Sequence, residues 1–242
     1  MNVITVPAKP KEIEIPLSLR AASACVEKHA GKDADENFHA LLQCAEDITK
    51  AAEKVQTTCA KVLDNQMQTS IKNAATARAA AFKIFQGVAG KIDGVRRRTE
   101  HAIAALEAST LPQRPKDAMA ALYAAEIRKA LLSMPQAERA KAVNAAITDG
   151  DDDFVSAAVT GNVTLVGLGN AEQTALADAW RRKRHGATVA RIESLRSGLT
   201  EFNRLSSLLS GFALSICAEQ NEHIAAAEES ERLARAAISD VA

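Results

Sequence analysis

Between Asp33 and Ala108 apolar or small residues return every three or four positions. A first run holds Phe38, Leu41, Ala45, Ile48, Ala52, Val55, Cys59 and Val62; a second holds Ala74, Arg78, Ala81, Phe85, Val88, Ile92, Val95, Thr99, Ala102 and Leu106. Steps that alternate between three and four are the heptad signature of a coiled-coil seam. The polar stretch from Asn65 to Ser70 breaks the phase, which in one continuous helix would locally alter the supercoil. Such a helix would extend about 110 Å at 1.5 Å per residue. The rhythm returns in Ile192, Leu195, Leu199, Phe202, Ser206, Leu209, Ala213, Ile216, Gln220, His223 and Ala227. Leu205, Leu208 and Phe212 form a second stripe beside it, as expected of a helix that meets more than one partner.

Shorter elements lie between these runs. Pro112 and Pro115 in "STLPQRPKD" punctuate the end of the first. A helix is predicted over Lys116–Ser133, carrying Met119, Leu122, Tyr123, Ile127 and Leu131. Ser133 with Gln136 predicts a capping box for a helix through Val143 and Ile147, closed by Gly150. A brief helix near Phe154–Val159 precedes the loop "TGNVTLVGLG", and Asn170 with Gln173 predicts a second capping box where the last long helix begins. At the other end, residues 1–16 hold three prolines and the alternation Ile13, Ile15, Leu17, an extended arm. A short helix from Leu17 to His29, stopped by Gly31, comes next. The expected fold is all-α: a long antiparallel coiled-coil hairpin, a small helical subdomain inserted at its tip, and an extended N-terminal arm. The segments are 1–31 for arm and short helix, 32–111 for the first long helix, 112–169 for the subdomain and 170–242 for the second long helix.

Composition narrows what such a fold can do. The chain is 47% hydrophobic but only 3% aromatic, which suits close helix–helix seams more than a thick globular centre. Thirty Lys and Arg balance thirty Asp and Glu, so no whole-molecule field draws it to nucleic acid or membrane. Local clusters remain. Arg96, Arg97 and Arg98 form one basic run; Arg181, Arg182, Lys183 and Arg184, followed by His185, form another. Folding the hairpin with residue 110 beside residue 171 brings both runs to one level near residue 185. Convergent like charges imply an anionic partner, either another subunit's acidic surface or the chain's own Asp149, Asp151, Asp152 and Asp153. Nucleic acid is the less favoured partner, for want of net positive charge and interleaved aromatic residues.

Gly87, Gly90 and Gly94 fall on one outward face of the second heptad run, each costing about 1 kcal/mol of helix stability relative to alanine. Small residues there admit another backbone, from residues 1–30, from the subdomain or from another copy, or they soften the helix. Together with Leu205, Leu208 and Phe212 they are the expected partner-binding surface, the partner being a second copy or another protein of an assembly.

Motifs for chemistry are weak. Cys25, Cys44, Cys59 and Cys217 form no CxxC pair and read as reduced thiols. The antiparallel count puts Cys59, Cys217 and His223 near one level, where seam positions suit a structural role better than a nucleophile or metal site. "DGDDDF" has the one-three-five spacing of a calcium loop, but Phe154 stands where glycine is needed and Thr160 where a bidentate glutamate is needed. "GLGNAE" lacks the Lys-Ser/Thr of a phosphate-binding loop. No catalytic residue, metal or cofactor is expected, since a rod offers little concave volume. "MNVITVPAKPKEIEIP" lacks a signal peptide's basic start and apolar run, and no apolar run approaches the ~20 residues of a membrane helix. The expected location is the cytoplasm where the chain is made, or a virion into which it is incorporated.

The segments "ERAKAVNAAITDGDDDFVSAAVTG" and "GLGNAEQTALADAWRRKRH" resemble alanine-rich helical proteins encoded by tailed bacteriophages and prophages. The resemblance implies a virion or assembly component and brings no active-site residues with it. The expected function is a coiled-coil protein bridging subunits of an assembly. The alternative is a nucleic-acid or regulatory binding module acting through the basic band.

Overall fold

Alanine-rich heptads favour helix at nearly every position, and the chain follows that preference. A computed structural model describes residues 13–30 and 35–239. Among the described residues there are ten α-helices, one 3₁₀ turn and no strand, so the all-α class is as expected. In chain order the helices are α1 (Leu17–Ala30), α2 (Glu36–Leu63), α3 (Ser70–Ser109), α4 (Ala118–Ser133) and α5 (Gln136–Asp149). Beyond them come α6 (Asp152–Val159), α7 (Val163–Val166), α8 (Asn170–Arg184), α9 (Gly186–Ser215) and α10 (Asn221–Ser239). The chain divides into a larger unit, Met1–Glu100 with Leu195–Ala242, and a smaller one, His101–Ser194; the division falls within α3 and within α9. Most of the extended arm, residues 1–12, and the predicted stop at Gly31 lie outside the described residues.

In the larger unit α2 is amphipathic, as its period predicts: Phe38, Leu41, Ala45, Ile48, Ala52, Val55 and Cys59 are buried, and Val62 is half-buried. Asp35 caps its start, accepting from the Asn37 N–H at 2.9 Å. α1 packs on α2 through Leu19, Ala22 and Val26, and the Gln56 amide donates to the Ile13 carbonyl at 2.9 Å.

The single helix expected over 33–108 is two helices. α2 ends at Leu63, residues 64–69 turn the chain, and α3 starts at Ser70. The buried Asn73 amide donates to the Asn65 carbonyl at 2.6 Å and closes the turn. α3 then returns along α2. The Cys59 thiol donates to the Ala77 carbonyl at 3.3 Å, and Lys91 pairs with Asp47, which is the order of antiparallel helices. The stretch from Asp64 to Ser70 offers the seam one large apolar residue, Met67, and that side chain is 92% exposed, so reversal there sacrifices no burial. Heptad periodicity on either side is the same for a phase slip as for a reversal. The longest helix, α3, has 40 residues and extends about 60 Å.

α3 also meets the C-terminal part of the chain. Arg96 Nε donates to Asn203 Oδ1 at 2.9 Å, and Arg78 Nη1 to Asn221 Oδ1 at 2.9 Å, again in antiparallel order. Leu195, Leu199, Phe202, Ser206, Leu209, Ala213, Ile216 and Gln220 are buried as the heptad predicts. The last helix is not continuous, however. It breaks at His185 and again after Ser215, where Cys217 takes a left-handed conformation with φ 56° and Ala218–Gln220 form the 3₁₀ turn. That break changes the phase of α10: Ile224 is buried, while His223 and Ala227, the expected seam residues, are exposed.

The smaller unit packs α4 to α8 around Leu131, Val143, Val155, Ala158, Val166, Leu168 and Trp180. It extends beyond the expected 112–169 because Leu176 and Trp180 of α8 belong to its core. Its short helices are held by polar side chains placed on backbone groups. Arg139 reaches the carbonyls of Leu131 and Met134 through Nε, Gly167 through Nη1 and Leu132 through Nη2, at 2.8–3.2 Å. The carbonyls of Leu131, Leu132 and Met134 are ones that the end of α4 leaves open, and that of Gly167 follows α7. Buried Gln173 donates to the carbonyls of Ala158 at 2.9 Å and Gly161 at 3.1 Å. Gly150 ends α5 with φ 81°, as predicted, and Gly167 ends α7 with φ 67°. Neither predicted capping box forms. The Ser133 hydroxyl turns back to the Ala130 carbonyl, and α5 starts after Pro135. α8 is preceded by Gly169, whose N–H donates to Glu172 at 2.9 Å.

Candidate functional site

One concavity lies in the smaller unit. It is a cleft of about 570 Å³ walled by the loop before α4, the first turns of α4 and α6, and the end of α8. Asp152, in the first turn of α6, organises it. One carboxylate oxygen accepts from Trp180 Nε1 at 2.8 Å, and the other pairs with Arg184 at 3.1 Å. Asp151 caps α6 by accepting from the Phe154 N–H at 3.0 Å, which leaves Asp152 to bridge to α8. The His185 ring meets Trp180 edge-on, 5.3 Å between centroids. Arg181 anchors the loop before α4 by donating to the Thr110 hydroxyl at 3.0 and 3.2 Å.

Arg114, Lys116 and Arg184 face Asp117, Asp152 and Asp153 in this cleft, so it has no strong preference for either sign of ligand. Its apolar contribution comes from Leu111, Ala120, Tyr123 and Trp180. Along α4 the stripe continues outward: Met119 is 76%, Leu122 63% and Tyr123 52% exposed. Residues at i, i+3 and i+4 share one helix face, and here that face turns away from the core-facing Ala124, Ile127 and Leu131. Periodicity groups Met119, Leu122 and Tyr123 with Ile127 and Leu131 and does not separate the two faces. A helix that is apolar on both sides was the available signal.

The predicted basic band resolves into residues with local partners. Arg96 is held by Asn203 and by Asp93 at 3.2 Å, where the hairpin count had placed residue 185 beside this run. Arg97 donates to the Asp93 carbonyl at 3.3 Å. In the second run Arg181 pairs with Asp178 as well as Thr110, Lys183 donates to the Thr148 carbonyl at 3.1 Å, and Arg184 meets Asp152. Arg98 and Arg182 are exposed. Of the acidic run, Asp152 is the residue that reaches this cluster.

The glycine face is open. A Cβ built on Gly87, Gly90 or Gly94 meets nothing within 4 Å beyond its own turn of helix. α1 packs on α2 instead, and α3 continues through all three glycines without a break. Gly87 borders a groove of about 590 Å³ between α2 and α3, with Ala51, Ala80, Ile84 and Val88 on its floor and Lys50, Lys54 and Lys83 on its rim. The other expected partner residues are covered within the chain: Leu205 and Phe212 are buried and Leu208 is half-buried.

Three of the thiols are raised by burial. Burial pushes Cys59 up to about 11, with Cys217 adding to it, and burial pushes Cys44 up to about 11; Cys217 is also raised by burial. Cys59 and Cys217 thus influence one another as the antiparallel count implied, while His223 is exposed to solvent. Among the described residues no group of three or more His, Cys, Asp or Glu is placed to hold a metal ion, and no helix is long and apolar enough to cross a membrane. Compared with protein-family models, curated proteins and solved structures, the chain matches none.

Proposed function

We propose that this is a helical interaction protein that bridges subunits of an assembly, a phage particle being the setting to which the sequence resemblance points. The observation that carries the reading is the uncovered apolar stripe of α4, Met119, Leu122 and Tyr123, continuous with a cleft of balanced charge. Contiguous exposed apolar surface rimmed by polar groups marks sites of protein contact. The architecture fits this role. α3 runs antiparallel to α9 and α10 through the Arg96–Asn203 and Arg78–Asn221 contacts, as in a coiled-coil hairpin, and a small subdomain interrupts that hairpin in sequence.

Light scattering on the full chain, across concentration and at low and high salt, tests the reading. The expected mass exceeds that of a single 25.7 kDa chain. The part due to the α4 stripe survives high salt, because apolar contact is not screened. Met119→Glu with Leu122→Glu removes that part. A wild-type chain that stays monomeric at every concentration would overturn self-assembly. The alternative, a nucleic-acid or regulatory module, relies on cations of which Arg96, Arg97, Arg181, Lys183 and Arg184 already have partners in the chain. It would be revealed by salt-steep binding lost on neutralising Arg98 and Arg182.

A further inference from the structure

Among the described residues, α10 is the least covered helix. From Ala225 to Ala236 every residue is exposed, on all sides of the helix. Isolated helices shorter than about 12–15 residues are marginal in water, and the exposed pairs Arg232–Glu229 and Arg235–Glu231 add little to that. The composition of α10 indicates what covers it. α10 carries Glu222, Glu228, Glu229 and Glu231 against Arg232 and Arg235, an excess of two acidic residues, and Ala225, Ala226 and Ala227 offer a small-residue surface.

The groove between α2 and α3 is its complement. Its floor is made of small and aliphatic residues, Ala51, Ala80, Ile84, Gly87 and Val88, and its rim carries Lys50, Lys54 and Lys83. Asp47, the acid lining it, is occupied by Lys91, and Glu46 reaches Lys50 only at 3.7 Å with both side chains largely exposed. The groove therefore keeps most of its positive charge. Gly87 leaves room for a helix backbone to approach.

We propose that this groove receives α10 of a second copy, reciprocally, in a two-fold dimer. Both halves of the contact lie on this chain, so one reciprocal exchange covers both and closes the assembly, as isologous interfaces do. A different protein in the groove would leave α10 bare. The inference rests on the interaction reading and deepens it by naming the partner and the surface. Charge complementarity of this kind sets register and makes the contact salt-sensitive.

The test combines light scattering with hydrogen exchange on the full chain. The expected result is a dimer that weakens as salt rises, and amides of residues 225–236 whose protection increases with protein concentration. Lys50→Glu/Lys54→Glu/Lys83→Glu and, separately, Glu222→Lys/Glu228→Lys each weaken dimerisation about tenfold or more. Mixing the two variants restores association through one rescued interface. Gly87→Leu fills the groove and blocks the dimer while circular dichroism stays helical. A dimer indifferent to both charge reversals, or α10 protection independent of concentration, overturns the inference. Association lost only in the α4 variant overturns it too but leaves the interaction reading standing, whereas a monomer under all conditions overturns both.

Discussion

The larger unit is built from α1, α2, α10 and the greater parts of α3 and α9, and its interior repeats one motif, an apolar or small side chain every three or four positions. Two of its buried polar residues serve the backbone locally: Thr99 donates to the Val95 carbonyl and Ser206 to the Phe202 carbonyl, one turn back in each case. The smaller unit has helices of 4 to 16 residues, too short to bury much seam. There the polar contacts reach across the fold. Arg139 gathers the ends of α4 and α7, Gln173 joins α8 to the end of α6, and Asp152 joins α6 to Trp180 and Arg184. Long helices can be specified by period alone. Short ones need individual locks, since each contributes few apolar contacts and exposes a large share of unpaired backbone groups.

The largest effect expected from this contrast is loss of a large side chain from the seam. Phe202→Ala, at a fully buried position, is expected to cost about 3–5 kcal/mol, read as a lower denaturation midpoint by circular dichroism. Trp180 is the one tryptophan of the chain and sits in the smaller core, so its fluorescence reports that core separately. An equal loss by both probes would mean that the two cores melt together, and that the contrast concerns packing and not stability.

A pair of glycine substitutions sharpens the comparison, because the same change should have opposite signs in the two units. Gly167→Ala forces a left-handed residue and drives its Cβ into the Arg139 guanidinium. It should cost about 1–3 kcal/mol by tryptophan fluorescence. Gly90→Ala sits in open helix and should gain up to about 1 kcal/mol. Destabilisation by Gly90→Ala would show that another element docks on that face.

A last prediction concerns pH. Cys44 and Cys59 belong to the larger unit, and both are pushed up to about 11. An unfolded cysteine titrates near 8.5. A raised folded value means that their contribution is complete below the unfolded value and is lost as pH rises towards 11. The denaturation midpoint of the larger unit should therefore fall between about pH 8.5 and 11, and less so in Cys59→Ala relative to its own neutral value. A flat profile over that range would show that the thiols are not buried as described.

The seam of α2, the seam of α9 and its continuation to Gln220, the bounds of α1 and the left-handed Gly150 could all be read from the residues. Each depends on neighbours within a few positions, and side-chain period, helix propensity and cap geometry act over that range. The turn at 64–69 could not be read in this way, because heptads before and after it look alike whether the helix slips or reverses. The same applies to α10: once Cys217 adopted a left-handed conformation, the phase that predicted His223 inward brought Ile224 inward instead. The pairing of Arg96 with Asn203 and of Asp152 with Trp180 and Arg184 joins residues far apart in the chain. Sequence by itself determined that the protein is helical and which faces of its long helices are buried. Only the tertiary structure decided which helices face one another, which charges are neutralised, and which surfaces are left uncovered. Those outcomes depend on where the chain reverses, and a repeating local pattern does not encode that.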